Sequence, residues 1–258
     1  GTDQLGRSVV WRCALGGAVS LSIGTAAALI AVIIGTTWGL VAGYVGGRTD
    51  AFMMRVVGVL YGLTGVLLVV VLAVAVDGAV GRLEQAVGPD GDGGWFGGLR
   101  RLYENQAAVN LFTLFVAIGA VSWLTLARVV RGQVLSIKQQ PFIESARAIG
   151  CRTPRILIRH VLPNLMPVVL VAGALRIGQI ILVESFLSFL GLGPQEPLVT
   201  WGSLIAQGRA HLLEAWWLTA FPGLAIAATV LAYNLLADGL RARHWVEGRG
   251  EVHERAAA

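Results

Sequence analysis

The sequence has few charged residues, and only one of them is a lysine. Charged side chains make up 14% of the 258 residues, whereas hydrophobic ones make up 55%, and the mean hydropathy is +0.71. A water-soluble domain carries about 25% charged residues, so this composition excludes a surface that faces mainly water. The net charge of +5 could indicate nucleic-acid binding, but the arginines lie between hydrophobic runs, as in a membrane topology signal. The sequence therefore predicts an integral membrane protein that binds no nucleic acid.

Motifs for nucleotide hydrolysis and metal binding are also missing. A phosphate-binding loop needs Gly-Lys followed by Ser or Thr, and Lys138, the sole lysine, follows an isoleucine. Cys13 and Cys151 lack metal-ligand spacing, and His160 and His211 have no further ligand at suitable spacing. The GxSxG and HExxH patterns do not occur. We therefore expect no catalytic site, no metal site and no bound cofactor, so that any ATP hydrolysis would need a separate polypeptide.

Long apolar runs dominate the sequence instead. Each is long enough for the roughly 20 residues that cross a hydrocarbon core. We predict an all-α integral membrane protein with a single transmembrane domain over residues 1–258. Its five spans are expected at about 15–43, 53–77, 106–128, 163–190 and 215–237.

The positions of arginine and lysine predict the orientation. Three segments hold 13 of the 20 basic residues: the turn Arg48–Arg55, the connection 128–162 and the tail after Asp238. Because connections rich in Arg and Lys stay in the cytoplasm, these segments and the C-terminus are predicted to be cytoplasmic. The loop 78–104 is then extracytoplasmic, and Gly1 lies outside.

Residues 139–160, within the basic connection, are the most informative segment. The apolar residues of Ile143–Ile149 can form one side of a short helix, which Gly150 would end in a left-handed conformation. Thr153 followed by Pro154 is typical of an N-cap and the first helical position, so a second helix should start there. We predict two short helices at a sharp angle outside the membrane. A plain connection between two spans would not need this much structure.

The motifs of this chain occur in a known order. Glu144-Ser145-Ala146, Gly150 and Leu162-Pro163 follow the spacing of a Glu-Ala-Ala, three residues, Gly, about ten residues, Leu-Pro signature, with Ser145 in place of alanine. In this the chain resembles the permease subunits of binding-protein-dependent ATP-binding-cassette importers. The resemblance narrows to their dipeptide/oligopeptide/nickel branch through motifs over nearly the whole chain, namely 1–7 (GTDQLGR), 43–47 (GYVGG), 187–193 (LSFLGLG), 201–202 (WG), 221–223 (FPG) and 234–241 (NLLADGLR).

The resemblance implies a type I importer permease fold in the bacterial cytoplasmic (inner) membrane. Members have six spans, so the first span is expected to be missing from this chain. The family's partners would be a homologous permease subunit, two ATPase subunits that use ATP and Mg, an extracytoplasmic solute-binding protein and membrane lipid. The implied substrates are dipeptides or oligopeptides, with nickel or another small solute as the alternative. Coupling to the ATPase would involve Glu144, Ser145, Ala146, Arg147, Gly150, Arg155, Leu162 and Pro163.

Two charged residues interrupt the fourth span. Arg176 and Glu184 lie eight residues apart, or about 12 Å along a helix, so they share approximately one face but cannot pair directly. Charges at this depth are costly and usually face a protein interior or a wet cavity. Two hypotheses stay open. Either both residues line the translocation path or a subunit interface, or each has a polar partner on another helix and a structural role only.

A secondary transporter is the alternative from a different class. Five or six helices with an intramembrane Arg and Glu would satisfy that description. Such a transporter needs no structured docking segment in the cytoplasm, so residues 139–160 favour an importer driven by another chain.

Overall fold

The computed structural model describes residues 2, 6–62, 67–72, 74–75, 78, 82, 106–194 and 198–257, and of residues 106–113 and 243–257 it describes the backbone alone. Across these ranges the protein is helical, and the only β-structure is an isolated bridge between Thr2 and Ser8. Its helices are α1 (Val9–Val45), α2 (Gly47–Gly62), α3 (Gln106–Lys138), α4 (Pro141–Ala148), α5 (Thr153–Phe189), α6 (Trp201–Arg209) and α7 (Trp217–Ala257). The all-α prediction is confirmed.

Four helices in the described ranges are long and apolar enough to cross a membrane. They are α1, the Leu114–Lys138 part of α3, α5, and the Trp217–Ala242 part of α7. Four of the predicted spans fall on them. The span predicted at 53–77 begins in α2 and is helical again at 67–72 and 74–75, while its other residues, and nearly all of the loop 78–104, lie outside the described residues.

α3 is longer than predicted. The expected end at residue 128 lies inside the helix, which continues to Lys138 and carries Arg128 and Arg131 with it. No proline interrupts the chain until Pro141, and the residue before a proline is disfavoured in the helical region. Gln140 accordingly has extended backbone angles (φ −77°, ψ 143°). The basic connection is therefore shorter than predicted, and part of its charge lies on a membrane-spanning helix.

The second short helix predicted at Thr153 is the beginning of α5. Thr153 is already helical and the N-cap is Arg152, which makes no side-chain capping bond. α5 then passes through a π-helical turn at Leu157–Val161 and continues without a break past Pro163. A proline ring crowds the carbonyl four residues earlier, and a wider turn gives it room. The predicted start of a second helix at Thr153-Pro154 is confirmed, but this helix is not a separate short one: α4 precedes the first turns of a long helix.

The chain divides into two compact units. The first unit is Gly1–Ala27, Thr64–Val121 and Gly178–Val230, and the second is Ala28–Leu63, Ser122–Ile177 and Leu231–Ala258. The second unit has a buried apolar cluster to which α1, α3, α4 and α5 all contribute. We call it the second-unit core, and its members are Tyr44, Leu126, Val130, Val134, Ile143, Ala146, Ile156, Val161, Leu165 and Val169.

Glycines bring α1 and α3 close together in this unit. Gly35, Gly39 and Gly43 recur every four residues along α1 and face α3. A Cβ atom on Gly39 would lie 2.6 Å from the carbonyl oxygen of Ala127 and 2.8 Å from the Cβ of Val130. Small residues permit such backbone approach between helices in a bilayer. The spacing of α1 and α3 therefore depends on the absence of side chains here.

Gly39→Ala should destabilise the protein by about 1–3 kcal/mol, because the added methyl group overpacks the α1–α3 contact. Gly58→Ala is the matched control, since Gly58 also lies inside a helix but a Cβ there meets no atom within 4 Å. The control should be neutral or slightly stabilising, because alanine is the better helix former. Thermal unfolding midpoints in detergent would show the difference, and equal midpoints for the two variants would contradict the close-packing interpretation.

Candidate functional site

One face of α4 is packed into the protein and the other is open. Ile143 and Ala146 are buried in the second-unit core beside Tyr44 of α1. Phe142 and Ile149, by contrast, expose 42% and 81% of their surface. α4 is thus fixed to the helices behind it and still presents large apolar side chains outward.

Gly150 ends α4 in a left-handed conformation. Its φ angle is +82°, a value that glycine adopts without the steric cost met by other residues. The Gly150 N–H donates to the Arg147 carbonyl (2.9 Å), and the Cys151 N–H donates to the Ala146 carbonyl (3.1 Å). These two bonds form a Schellman motif, which satisfies the last carbonyls of a helix. The predicted role of Gly150 in terminating this helix is confirmed.

Tyr44 connects the end of α1 to both α3 and α4. Its carbonyl oxygen accepts a hydrogen bond from Nζ of Lys138 at 2.6 Å. The Lys138 ammonium lies 5.5 Å, and the Arg147 guanidinium 5.3 Å, from the centroid of the Tyr44 ring. Cations are favoured both at a helix C-terminus and over an aromatic face. Lys138, the sole lysine of the chain, therefore caps the C-terminal end of α1 by binding a carbonyl of its last turn.

An ion pair joins α2 to α3 a few residues away. The chain turns from α1 into α2 at Gly46 and Gly47, both with positive φ, and Asp50 lies in the first turn of α2. The Arg131 guanidinium donates to both carboxylate oxygens of Asp50, at 2.5 and 2.6 Å. The Arg131 hydrogen bonds hold the pKa of Asp50 below its ordinary value. Asp50 therefore stays ionised and holds α2 against α3.

The other residues predicted to take part in ATPase coupling lie in α4 and in the first turns of α5. Ser145 donates from its hydroxyl to the Pro141 carbonyl, one turn earlier in α4 (3.0 Å). Leu162 is partly buried within α5. Exposed side chains are those of Glu144, Ser145, Arg147, Arg155 and Pro163.

Glu184 lies in the first unit and is fully buried there. Its carboxylate accepts hydrogen bonds from the hydroxyls of Ser188 (2.7 Å), Ser20 (3.0 Å) and Ser185 (3.4 Å). The Trp201 N–H in turn donates to the hydroxyl oxygen of Ser20 (3.3 Å). A buried carboxylate needs such donors to offset its desolvation. This network connects α1, α5 and the start of α6.

The start of α6 is fixed by further bonds. Thr200 and Ser203 form a capping box, in which each side-chain oxygen accepts from the other residue's N–H (3.2 and 2.9 Å). The indole N–H of Trp201 donates to the Cys13 carbonyl of α1 (2.9 Å). The Trp201 ring leaves no room for a side chain at Gly17, where a Cβ would lie 2.7 Å from a ring carbon. α6 therefore rests directly on α1.

Arg176 belongs to the second unit and has different surroundings. It is partly buried near the middle of α5, and it lies close enough to Tyr61 of α2 for an electrostatic interaction. Tyr61 also carries the Arg128 guanidinium 4.0 Å from its ring centroid. The two charged residues predicted together, Arg176 and Glu184, thus have separate sets of neighbours in separate units.

Comparison with known proteins shows which family this architecture belongs to. A family model described as "Binding-protein-dependent transport system inner membrane component" matches residues 35–244. The chain belongs to this family. It is 39% identical over 241 residues to the oligopeptide transport system permease protein OppC of Haemophilus influenzae, covering 93% of this chain and 68% of that protein. It is 41% identical to OppC of Escherichia coli (93% and 70%) and 37% identical to the glutathione transport system permease protein GsiD of Pectobacterium atrosepticum (93% and 70%).

Several residues that join the helices have no role predicted from the sequence. Tyr44 and Ser188 lie within motifs of the family resemblance, but neither their contacts nor those of Asp50 are predicted. Some signals were available: Ser188 lies one helical turn after Glu184, and Thr200 and Ser203 have capping-box spacing. The partners on other helices, Ser20 and Arg131, carry no such signal because only the fold brings them near.

Glu184→Ala should lower the stability of the permease by about 2–4 kcal/mol, because it leaves a cavity and removes the acceptor for several buried hydroxyls. Glu184→Gln keeps the size and one acceptor oxygen, so it should be milder, and Ser188→Ala removes one donor only. Thermal unfolding of the purified variants measures these losses. Unchanged stability of Glu184→Ala with loss of transport would instead support the hypothesis that Glu184 lines the translocation path.

Asp50→Asn should cost about 1–3 kcal/mol of stability at neutral pH, the range for hydrogen bonds to charged groups. Because the pKa of Asp50 is lower in the folded protein, its contribution is complete above the ordinary aspartate pKa of about 3.9 and is lost as pH falls through the folded value. The wild-type advantage should therefore be constant from pH 7 to about 5 and shrink below about 4. Unfolding at each pH would measure it, with the exposed Asp238→Asn as control. A pH-independent advantage would contradict this account.

Proposed function

We propose that this chain is a channel-forming subunit of an ATP-driven importer for peptides, and that residues 139–160 dock on its ATPase subunits. The observation that carries the proposal is the two-sided character of α4. Its inner side is buried in the second-unit core, while its outer side presents exposed apolar and basic side chains.

The inner side of α4 supports transmission of movement. Ile143, Ala146 and Ile156 share the second-unit core with residues of α1, α3 and α5. Close-packed interiors have low compressibility and transmit strain, so a displacement of α4 would move these helices with it. A loosely attached loop could not act in this way.

The outer side of the segment supports docking. Ile149 exposes 81% and Ile158 67% of their surfaces, and Glu144, Arg147 and Arg155 of the same segment are exposed as well. Apolar groups with a charged rim are typical of protein interfaces. ATP binding would close two ATPase subunits, and the segment would pass that movement to the spans in an alternating-access cycle.

The partners follow from what the chain lacks and from its family. The sequence contains no phosphate-binding loop, so the ATP and Mg would be held by the ATPase subunits. A homologous permease would complete the channel as a heterodimer, and an extracytoplasmic solute-binding protein would deliver the substrate. The C-terminus and α4 would then both lie in the cytoplasm.

The names of the relatives support peptides as the substrate class. They include oligopeptide, dipeptide and D,D-dipeptide permeases and a glutathione permease. All of these solutes contain peptide bonds, which favours peptides over nickel. A secondary transporter would work without an ATPase, so ATP-independent uptake would support that alternative.

Ile149→Asp should lower transport, peptide-stimulated ATP hydrolysis and co-purification of the ATPase subunits by at least about 10-fold, the equivalent of roughly 1.4 kcal/mol. A charge on the apolar docking face would have to be desolvated on binding. Because Ile149 is largely exposed, the fold itself should tolerate the change.

Leu213→Asp is the matched control for this experiment. Leu213 is fully exposed in the turn between α6 and α7, so the same charge is added to an equally open surface outside the segment. The control should retain its ATPase partners. Full ATPase binding and normal stimulated hydrolysis by Ile149→Asp would refute the proposed docking role.

A further inference from the structure

Arg176 lies at a place where a charge is costly. It follows Thr153, the first residue of α5, by 23 residues and precedes Phe189 by 13, so at least about 20 Å of helix extends on either side of it. This position is remote from both ends of a membrane-crossing helix. A guanidinium at such depth needs an anion, a polar partner or water.

The described part of the chain supplies no anion for Arg176. No hydrogen bond or ion pair to its side chain occurs there, and its polar neighbour is Tyr61. Among the described residues, two acids that could neutralise a cation already have partners. Asp50 binds Arg131, and Glu184 accepts from serine hydroxyls.

A second guanidinium adds to the same positive region. Arg128 of α3 lies over the Tyr61 ring at 4.0 Å and is itself exposed. Tyr61 exposes 51% of its surface and Arg176 is only partly buried. The Arg128 guanidinium thus lies against the Tyr61 ring, and Arg176 is near enough to the same tyrosine to interact with it electrostatically. Arg128 and Tyr61 are both exposed on their outer side.

We propose that Arg176, Arg128 and Tyr61 form a subsite for the carboxylate of the transported solute. This inference rests on the proposed function, and it narrows the substrate class to peptides with a free C-terminal carboxylate. Guanidinium groups bind carboxylates through paired, charge-assisted hydrogen bonds, and a tyrosine hydroxyl can add a third donor. The position of Arg176 in the middle of α5 favours a solute in a wet path over a lipid headgroup, because headgroups lie at the ends of the span.

The test compares a peptide with its C-terminal amide. The full complex of both permease subunits, the ATPase subunits and the binding protein would be reconstituted in vesicles, and ATP-driven uptake of trialanine and trialanine amide measured. Arg176→Gln should reduce trialanine uptake about 10-fold, the effect of roughly 1.4 kcal/mol, and leave amide uptake unchanged. Arg176→Lys, which keeps the charge, should fall between. Any preference of the binding protein cancels, because each variant is compared with wild type for the same peptide.

The control and the contrary outcomes separate this inference from the proposed function. Arg241→Gln, an exposed arginine of α7, should change neither rate. An equal loss of both substrates in Arg176→Gln, or loss of the partner permease from the purified complex, would overturn the subsite and assign Arg176 to structure or to the subunit interface. If the wild-type complex imports neither peptide, the proposed peptide function fails and the subsite fails with it.

Discussion

The second-unit core is the contact on which the described architecture most depends. It holds a segment that carries none of the membrane-spanning residues, α4, against three helices that do. Ile143 and Ile156 are almost completely buried in it, and burial of one such side chain away from water contributes about 1.5–3 kcal/mol. This apolar packing fixes the position of α4, and the Schellman turn at Gly150 and the contact of Arg147 with Tyr44 both depend on that position.

Charged side chains within the two units have different kinds of partner. In the first unit, the Glu184 carboxylate is surrounded by hydroxyl donors from α1 and α5, and the network extends to the backbone of α6. In the second unit, Asp50 and Arg131 form a bidentate pair, while Arg128 lies over the Tyr61 ring and no acid among the described residues pairs with Arg176. A completed network fixes structure, since every member is satisfied. Arg176 has no such network among the described residues, so its charge is available to a ligand. For this reason we propose a ligand-binding role for Arg176 and a structural role for Glu184.

The sequence predicted helices well where the pattern was long, and less well where a boundary depended on context. The apolar runs located four long helices, because a run of this length in lipid forms a helix that satisfies its backbone hydrogen bonds within the segment. α3 continues past the predicted end at residue 128 because Arg128 does not mark a helix boundary; the helix stops only shortly before Pro141. The second helix starts where Thr153-Pro154 predicts, but it continues into the span, because the π-helical turn at Leu157–Val161 makes room for Pro163.

By itself the sequence determined that this protein is helical and membrane-embedded, that its family is that of binding-protein-dependent transport components, and that Gly150 ends a helix. Those features follow from local chemistry: apolar length, motif spacing and the steric freedom of glycine. Only the tertiary structure decided that Lys138 closes α1 through Tyr44, that Asp50 pairs with Arg131, and that Arg176 and Glu184 have different neighbours. Each of these contacts joins residues on different helices, and no pattern along a single helix specifies which side chains of another helix will face it.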